Sequence, residues 1–383
     1  MASVTPLPVD SVTLTFLVDN TLEWFTKLPP GFKHEIRTHL ESPKVPKDDL
    51  TGVSILDFEN YCCGAHGLSV LINTVKDGES HQVMFDTGPE HLSIARNLAS
   101  LDVSLHNLET IVLSHWHSDH SGGILEVLKT ANKDKNGTKN ISEAAKTGAV
   151  SVDLHPSRPT ARGIAPPPHN KVIARLAADP SFEEIHENGG IVSLHPEAHT
   201  VANGAVYVSG EIPRVTSFEE GLHGGMRWVD EKDEREAVGT PMNGGKWISE
   251  PHIMDERYVA IDVLGKGLII LSACSHAGIC NVVEDAVAKL KRPIHIVIGG
   301  LHLASEDLAY RIAPTVHFLS QSLRPAPMYV LPMHCTGFNA KVALEAALGQ
   351  GCVPAGTGIS VVVQGDTASE KMMRPPVISR STE

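Results

Sequence analysis

The chain lacks an excess of positive charge: 32 Lys and Arg stand against 45 Asp and Glu, a net charge of −13 at pH 7. Such a surface repels polyanions, and binding through phosphate contacts needs a basic face, so no nucleic-acid partner is expected. No apolar run reaches the roughly 18–20 residues of a membrane span, so no membrane association is expected either. The first ten residues carry no basic segment followed by an apolar one, which argues against a secretory leader and for a cytoplasmic location. The six cysteines (Cys62, Cys63, Cys274, Cys280, Cys335 and Cys352) include no Cys-x-x-Cys pair. That excludes a zinc knuckle and a thioredoxin-type motif and leaves free thiols in a reducing compartment. Two Asn-x-Ser/Thr tripeptides, at Asn136 and Asn140, carry no weight without secretion.

What is present in quantity is apolar sequence, 42% of 383 residues. This is enough for a sizeable core, and a chain of this length can form one domain. Residues 1–383 are therefore read as a single domain with two insertions. Residues 131–170, rich in Lys, Asn, Gly and Pro, and 222–251, rich in Gly and charge, are expected to be irregular loops. Long irregular segments in a compact domain are lids or binding loops, or else plain surface insertions.

Apolar runs and alternation predict strands over 12–18, 68–75, 82–85, 111–113, 258–263, 268–271, 294–298, 328–331 and 359–363. Helices are predicted over 93–101, 122–130, 281–290, 308–323 and 342–348. The polar tail from Thr367 is expected to fray. Mixed strands and helices without a long repeat suggest an α/β (α+β) fold, two sheets sandwiched between helices.

Residues 111–123 carry the strongest chemical signal. Ile111, Val112 and Leu113 end in Ser-His115-Trp-His117-Ser-Asp119-His120-Ser-Gly-Gly, four ligand-type side chains within six positions. A strand thus delivers a ligand cluster onto a tight loop. Neutral imidazoles and a carboxylate suit a divalent metal such as zinc, and His-x-His lets two rings grip one ion. Asp119 and His120 can face a second ion, and two ions roughly 3.5–4 Å apart would clamp a substrate.

Three later segments place a histidine just after an apolar run: Cys274-Ser-His276-Ala-Gly278, Gly300-Leu-His302 and Met333-His334-Cys-Thr-Gly337. We read His276 and His334 as metal ligands and His302 as either supporting a ligand from behind or facing substrate. Asp86, after the strand ending at Phe85, suits an outer role, accepting the second ring N–H of a ligating histidine. His66 precedes a strand and can line a pocket. In Gly210-Glu211-Ile-Pro213-Arg214, Arg214 can hold an anionic group and Glu211 can ligate metal or position Arg214. Of the histidines placed in loops, His155, His169, His195 and His199 read as surface residues. His223 and His252 flank the second insertion and can reach the site from a lid.

The His-x-His-x-Asp-His pattern after a strand resembles the metallo-β-lactamase fold superfamily. Further segments narrow this: Val18-Asp19-Asn20, His66-Gly-Leu-Ser69, Phe85-Asp86-Thr-Gly88, Gly210-Glu-Ile-Pro-Arg214, Cys274-Ser-His276-Ala-Gly278, Gly299-Gly-Leu-His302, Pro332-Met-His-Cys-Thr-Gly337 and Thr357-Gly358. Together they resemble the dihydropterin-synthase-like branch. That resemblance implies an αββα sandwich with a metal site at the sheet edges, and a Cys274-Ser-His276 segment in place of the usual Gly-Asp bridging-ligand segment. The chain departs from the synthases in its two insertions and in Ala65, where many relatives carry Glu. Its long polar loops are similar to those of fungal lactamase-like hydrolases that detoxify cyclic amides and carbamates.

The expected activity is therefore metal-dependent hydrolysis of a small cyclic amide, ester or carbamate by a metal-held hydroxide. The cofactors are two divalent ions, zinc first, with manganese or iron(II) as alternatives. The expected ligands are His115, His117, Asp119, His120, His276 and His334. Asp119 would orient the nucleophile and return the proton, and His302 would stabilise the oxyanion. A pterin-phosphate synthase-like transferase and an iron-dependent oxidoreductase are the other readings. The partner expected is a small-molecule substrate, with a homodimer as an open assembly.

Overall fold

Alternation along Ser11–Val18 sends Val12, Leu14 and Phe16 to one face, and the paired strand Ser69–Lys76 sends Val70 and Ile72 to the same side. In the computed structural model, which describes residues 4–136, 148–168, 171–230 and 244–379, this strand pair lies in an eight-stranded sheet. Its order is Phe32–Lys33, Ser360–Gln364, Ser11–Val18, Ser69–Lys76, Glu79–Phe85, Leu108–Val112, Val150–Leu154, Gly190–Leu194. A six-stranded sheet runs His199–Val201, Val206–Val208, Val259–Val263, Gly267–Ser272, Ile294–Gly300, Tyr329–Met333.

The inner faces of the two sheets share one core, in which Leu14, Phe16 and Ile72 join Ile261, Ile269, Leu271, Ile296 and Ile298. Each such side chain contributes roughly 1.5–3 kcal/mol when fully buried. The outer face of the larger sheet packs on the helices His91–Ser100 and Ile124–Asn136, and that of the smaller on Ile279–Leu290 and Ile312–His317. The layers are therefore helix, sheet, sheet, helix, the sandwich expected from the sequence. Among the described residues no helix is long and apolar enough to cross a membrane.

The predicted elements recur with ends shifted by a few residues. The stretch 306–322 is helical throughout but passes from a 3-10 turn to α and then to π geometry. Three expectations need correction. Residues 131–170 are not all loop: the helix continues to Asn136, Val150–Leu154 is a buried strand of the large sheet, and Ala161–Ile164 is a further strand. Residues 222–251 hold the strands Gly225–Asp230 and Gly245–Ser249, which pair in register with Trp228 opposite Trp247. With Ala161–Ile164 and Ala174–Arg175 they form a separate four-stranded sheet. The tail does not simply fray: Asp366 caps a short helix, Thr367–Glu370, and Val377–Ile378 pairs with Leu323–Arg324. Asn140, His169 and residues 231–243 lie outside the described residues.

Candidate metal centre

Parallel strands bring their C-terminal ends to a common edge, where side chains from different loops can converge. Asp86 follows Glu79–Phe85 and His115 follows Leu108–Val112 in one sheet. Cys274 and His276 follow Gly267–Ser272, His302 follows Ile294–Gly300, and His334 follows Tyr329–Met333 in the other. Three of these junction residues and Ser275, between Cys274 and His276, are held at positive φ: Asp86 at 56°, Ser275 at 60°, His302 at 53° and His334 at 43°. Backbone strain of this kind, concentrated at one edge, is typical of built sites. The ligand loop is also pressed against its neighbours. A Cβ on Gly122 would lie 1.9 Å from the Pro89 carbonyl oxygen, so only glycine lets the two segments approach.

His115 Nε2, His117 Nδ1 and His276 Nε2 form a triangle with edges of 3.0, 3.2 and 3.2 Å. Two nitrogens each about 2.0–2.1 Å from one ion stand this far apart when the angle at the ion is about 95–105°, so the triangle fits a zinc-sized cation. Burial pushes all three imidazoles down, His117 to about 3, which keeps them neutral and able to ligate.

A second group stands beside the first. Asp119 Oδ2 lies 3.5 Å from His120 Nε2 and 3.3 Å from His334 Nε2. Cys274 Sγ lies 3.1 Å and 3.3 Å from the same two nitrogens. Cys274 also groups with His115 and His276, so its sulfur stands between the two clusters. The sequence reading quoted Cys274 within its segment but did not count it as a ligand. The available signal was a cysteine directly after a fully buried strand, at the place where the bridging segment was expected.

The candidate ligands are held from behind. Asp86 Oδ2 accepts from His120 Nδ1 at 2.8 Å, and the same carboxylate accepts from the Ser114 amide and hydroxyl, both at 2.7 Å. This fixes the His120 tautomer with Nε2 toward the site. Burial lowers the His120 pKa, but the Asp119 and Asp86 charges outweigh it and leave it at about 9. A cation entering here therefore displaces a proton. Asn20 Oδ1 sits 3.0 Å from His334 Nδ1, and Asp19 Oδ1 accepts the His334 amide at 2.7 Å.

Glu256, fully buried, accepts the His276 and Ala277 amides at 2.7 and 2.6 Å, and burial lifts its carboxyl to about 7. Glu256 carried no sequence signal and Asn20 stood only within the Val18-Asp19-Asn20 segment of the resemblance, since their roles exist only through contacts made across the fold. Glu211 is exposed and acts on Arg214 only as one of several nearby charges, so Glu256 is the carboxylate that reaches the histidine segment.

These groups floor a cavity of about 520 Å³. His66, His117, Asp119, Cys274, His276, His302 and His334 line it on the metal side. Gly163, Ile164, Leu176 and Leu222 to Gly225 line it on the other. The two segments expected as insertions thus form a cavity wall. His66 stands at the mouth, largely exposed, its Nε2 3.7 Å from Asp119 Oδ2. His302 Nε2 is buried with no hydrogen-bond partner. Arg214 is half-buried, with Nε and Nη2 unpartnered, but is not among the lining residues. His223 lines the cavity, whereas His252 is exposed and does not.

The wall is bolted to the ligand loop by Arg162 of the strand Ala161–Ile164. Its guanidinium donates to the Trp116 carbonyl at 2.9 Å and to Asp255 and Glu250, while Asp255 accepts the Trp116 amide at 2.7 Å.

Residues 65–216 match the family model of the metallo-beta-lactamase superfamily. A protein of Methanocaldococcus jannaschii named 7,8-dihydropterin-6-methyl-4-(beta-D-ribofuranosyl)-aminobenzene-5'-phosphate synthase is 28% identical over 290 residues, covering 72% of this chain and 82% of its own. An uncharacterized protein of the same organism is 26% identical over 280 residues, 73% and 87% of the two chains. The crystal structure of a metal-dependent hydrolase of the beta-lactamase superfamily superposes with a TM-score of 0.57 at 18% identity, covering 92% of this chain and 99% of that one. The chain has the metallo-β-lactamase fold, and the family match lies within residues 65–216, which carry the His115–His120 loop.

Proposed function

We propose that the chain is a metal-dependent hydrolase that opens a small, largely apolar cyclic amide, ester or carbamate. The observation that carries this reading is the composition of the cavity. Two ligand groups meeting at Cys274 form its floor, Pro89, Ile164, Leu176 and Leu222 line its sides, and among the described residues no Lys or Arg lines it. A neutral ring with one carbonyl suits such a space better than a strongly anionic substrate. Divalent ions held by these residues supply Lewis-acid polarisation of a carbonyl and an acidified water. Zinc suits the nitrogen, carboxylate and sulfur donors.

The chain's own groups position and transfer. Burial raises the Asp119 carboxyl, but the His120, His334 and His117 rings outweigh it and hold it well below the usual carboxylate range. Asp119 therefore stays ionised at the floor, where it can orient a nucleophile and pass a proton toward the leaving atom. His302, whose Nε2 is buried and without a partner, is the group placed to donate to the oxygen on which negative charge develops. The apolar wall keeps bulk water from the reacting carbonyl.

The Methanocaldococcus synthase supports a second reading, a transferase acting on a pterin phosphate. That reading needs an anion anchor, and Arg214, with two buried and unpartnered guanidinium nitrogens, is the candidate. The deciding experiment is turnover of a panel of lactams, lactones and cyclic carbamates by protein of known metal content. Chelator-sensitive ring opening supports the hydrolase. Metal-replete protein that is inert on the panel but binds a phosphorylated pterin, with binding lost in Arg214→Ala, overturns it in favour of the transferase.

A further inference from the structure

Away from the cavity, three ligand-type side chains converge where the two sheets meet at one edge. Asp153 lies in the strand Val150–Leu154, His195 directly follows Gly190–Leu194, and His199 opens His199–Val201 of the other sheet. The Asp153 carboxylate is buried, and the two rings close over it from the solvent side, His195 with 41% of its side chain exposed. One oxygen is already committed: Asp153 Oδ1 accepts from Arg257 Nη1 at 2.6 Å. The other, Oδ2, faces His199 Nε2 at 2.7 Å and His195 Nε2 at 3.7 Å.

The proton positions make this arrangement informative. His199 Nδ1 lies 3.0 Å from the Glu197 carbonyl oxygen. A carbonyl only accepts, so Nδ1 carries the ring proton. In the neutral ring, Nε2 is then a lone pair aimed at a carboxylate oxygen 2.7 Å away. Two acceptors at that distance repel unless a positive charge lies between them, either a second proton or a cation. The His195 ring stacks on His199 with centroids 4.1 Å apart and an interplanar angle of 23°, which brings a second imidazole nitrogen to the same carboxylate. Ser193 Oγ lies 2.8 Å from the same His195 Nε2, so an ion bound through that nitrogen takes the place of this hydrogen bond. All three ligand atoms lie within 4.8 Å of one another.

We propose that Asp153, His195 and His199 hold a divalent transition-metal ion of the zinc class, in a site separate from the cavity. Two imidazoles and one carboxylate select zinc, cobalt or nickel over calcium and magnesium, which require mostly oxygen ligands. The exposed side of His195 leaves room for water to complete the shell. The ion ties the ends of two strands of one sheet to the edge strand of the other. Its carboxylate ligand is shared with Arg257, which also donates to the Leu113 carbonyl at 2.6 Å, two residues before His115.

The test is metal counting on the full chain. Wild type and His195→Asn/His199→Asn are saturated with cobalt(II), dialysed against the same free cobalt(II) concentration and analysed for cobalt. The cobalt–thiolate charge-transfer absorption of each is recorded as a separate reading of the Cys274 centre. Wild type should hold one ion more per chain than the double variant, with the thiolate band unchanged. Equal cobalt content in the two folded proteins overturns the site. Should the double variant fail to fold, His195→Asn alone, at the more exposed position, should weaken the extra ion by more than the about tenfold typical of losing an outer-shell partner. An unchanged affinity there also overturns the proposal. The thiolate band reports on the catalytic centre independently, so failure here leaves the hydrolase reading untouched.

Discussion

Asp86 Oδ2 and His120 Nδ1 stand 2.8 Å apart, both fully buried, and the same carboxylate also holds Ser114, whose hydroxyl lies 2.9 Å from His115 Nδ1. One acid outside the ligand set thus orients a ring in each of the two ligand groups. Asp86→Ala should lower metal affinity about 10–100-fold, affecting ions in both groups. Competition with a metal-indicator dye measures this, and unchanged affinity would show that packing alone aims the rings.

Cys274→Ser should separate the two ligand groups. The sulfur is the only soft donor among the ligands, and it touches both clusters. The cobalt-substituted variant should lose its thiolate charge-transfer band and about one ion per chain, while His115, His117 and His276 retain the other. A full complement of tightly held metal would mean that Cys274 is a bystander.

Arg162→Met removes the cation that pairs with Asp255 in a buried cluster and leaves Glu250 to the more distant Arg227, at 3.6 Å. Leaving buried carboxylates unpaired costs about 3–5 kcal/mol. Denaturant unfolding should show that loss, and substrate KM should rise because the cavity wall is released from the ligand loop. Stability within about 0.5 kcal/mol of wild type would refute the bolt.

Acid sensitivity has a component remote from the site. Burial, helped by the Lys266 charge, holds the His295 imidazole at about 4, below its ordinary 6.5. Unfolding lets the ring take up a proton that the fold refuses, so its contribution is complete above pH 6.5 and is lost as the pH falls toward 4. Relative to His295→Gln, wild type should lose on the order of 2 kcal/mol across that window, allowing for partial exposure. Parallel stability–pH curves for the two proteins would contradict this.

Ile164→Arg places a cation on the apolar wall without touching a ligand. Metal content should stay at the wild-type value, while kcat/KM for a neutral ring should fall by about tenfold or more, as expected for loss of a well-packed apolar contact. An unaffected rate would move the substrate to another face.

The regular strands and the His115–His120 loop were legible because their signals are local: apolar periodicity, and four ligand types in six residues. The four-stranded sheet was not. Gly163, Gly225 and Gly245 and the charges around them read as loop, yet cross-strand pairing such as Trp228 opposite Trp247 overrides local propensity. The strand Val150–Leu154 was hidden by the polar stretch before it, although its burial on both faces suits a parallel strand inside a sheet. The roles of Asn20, Glu256 and Arg162 gave no sign, although Asn20 lay in a quoted segment, because their partners lie far along the chain: His334 is 314 residues from Asn20.

The ligands and the wall opposite them belong to different hydrogen-bonded sheets, joined at the ligand loop through Arg162. Reactivity and selectivity are therefore inherited from separate pieces of chain. Mutational drift at Gly163, Ile164, Leu176 and Leu222 to Gly225 can redefine which ring fits while the chemistry beneath stays fixed, so two homologues with identical ligand residues need not share a substrate.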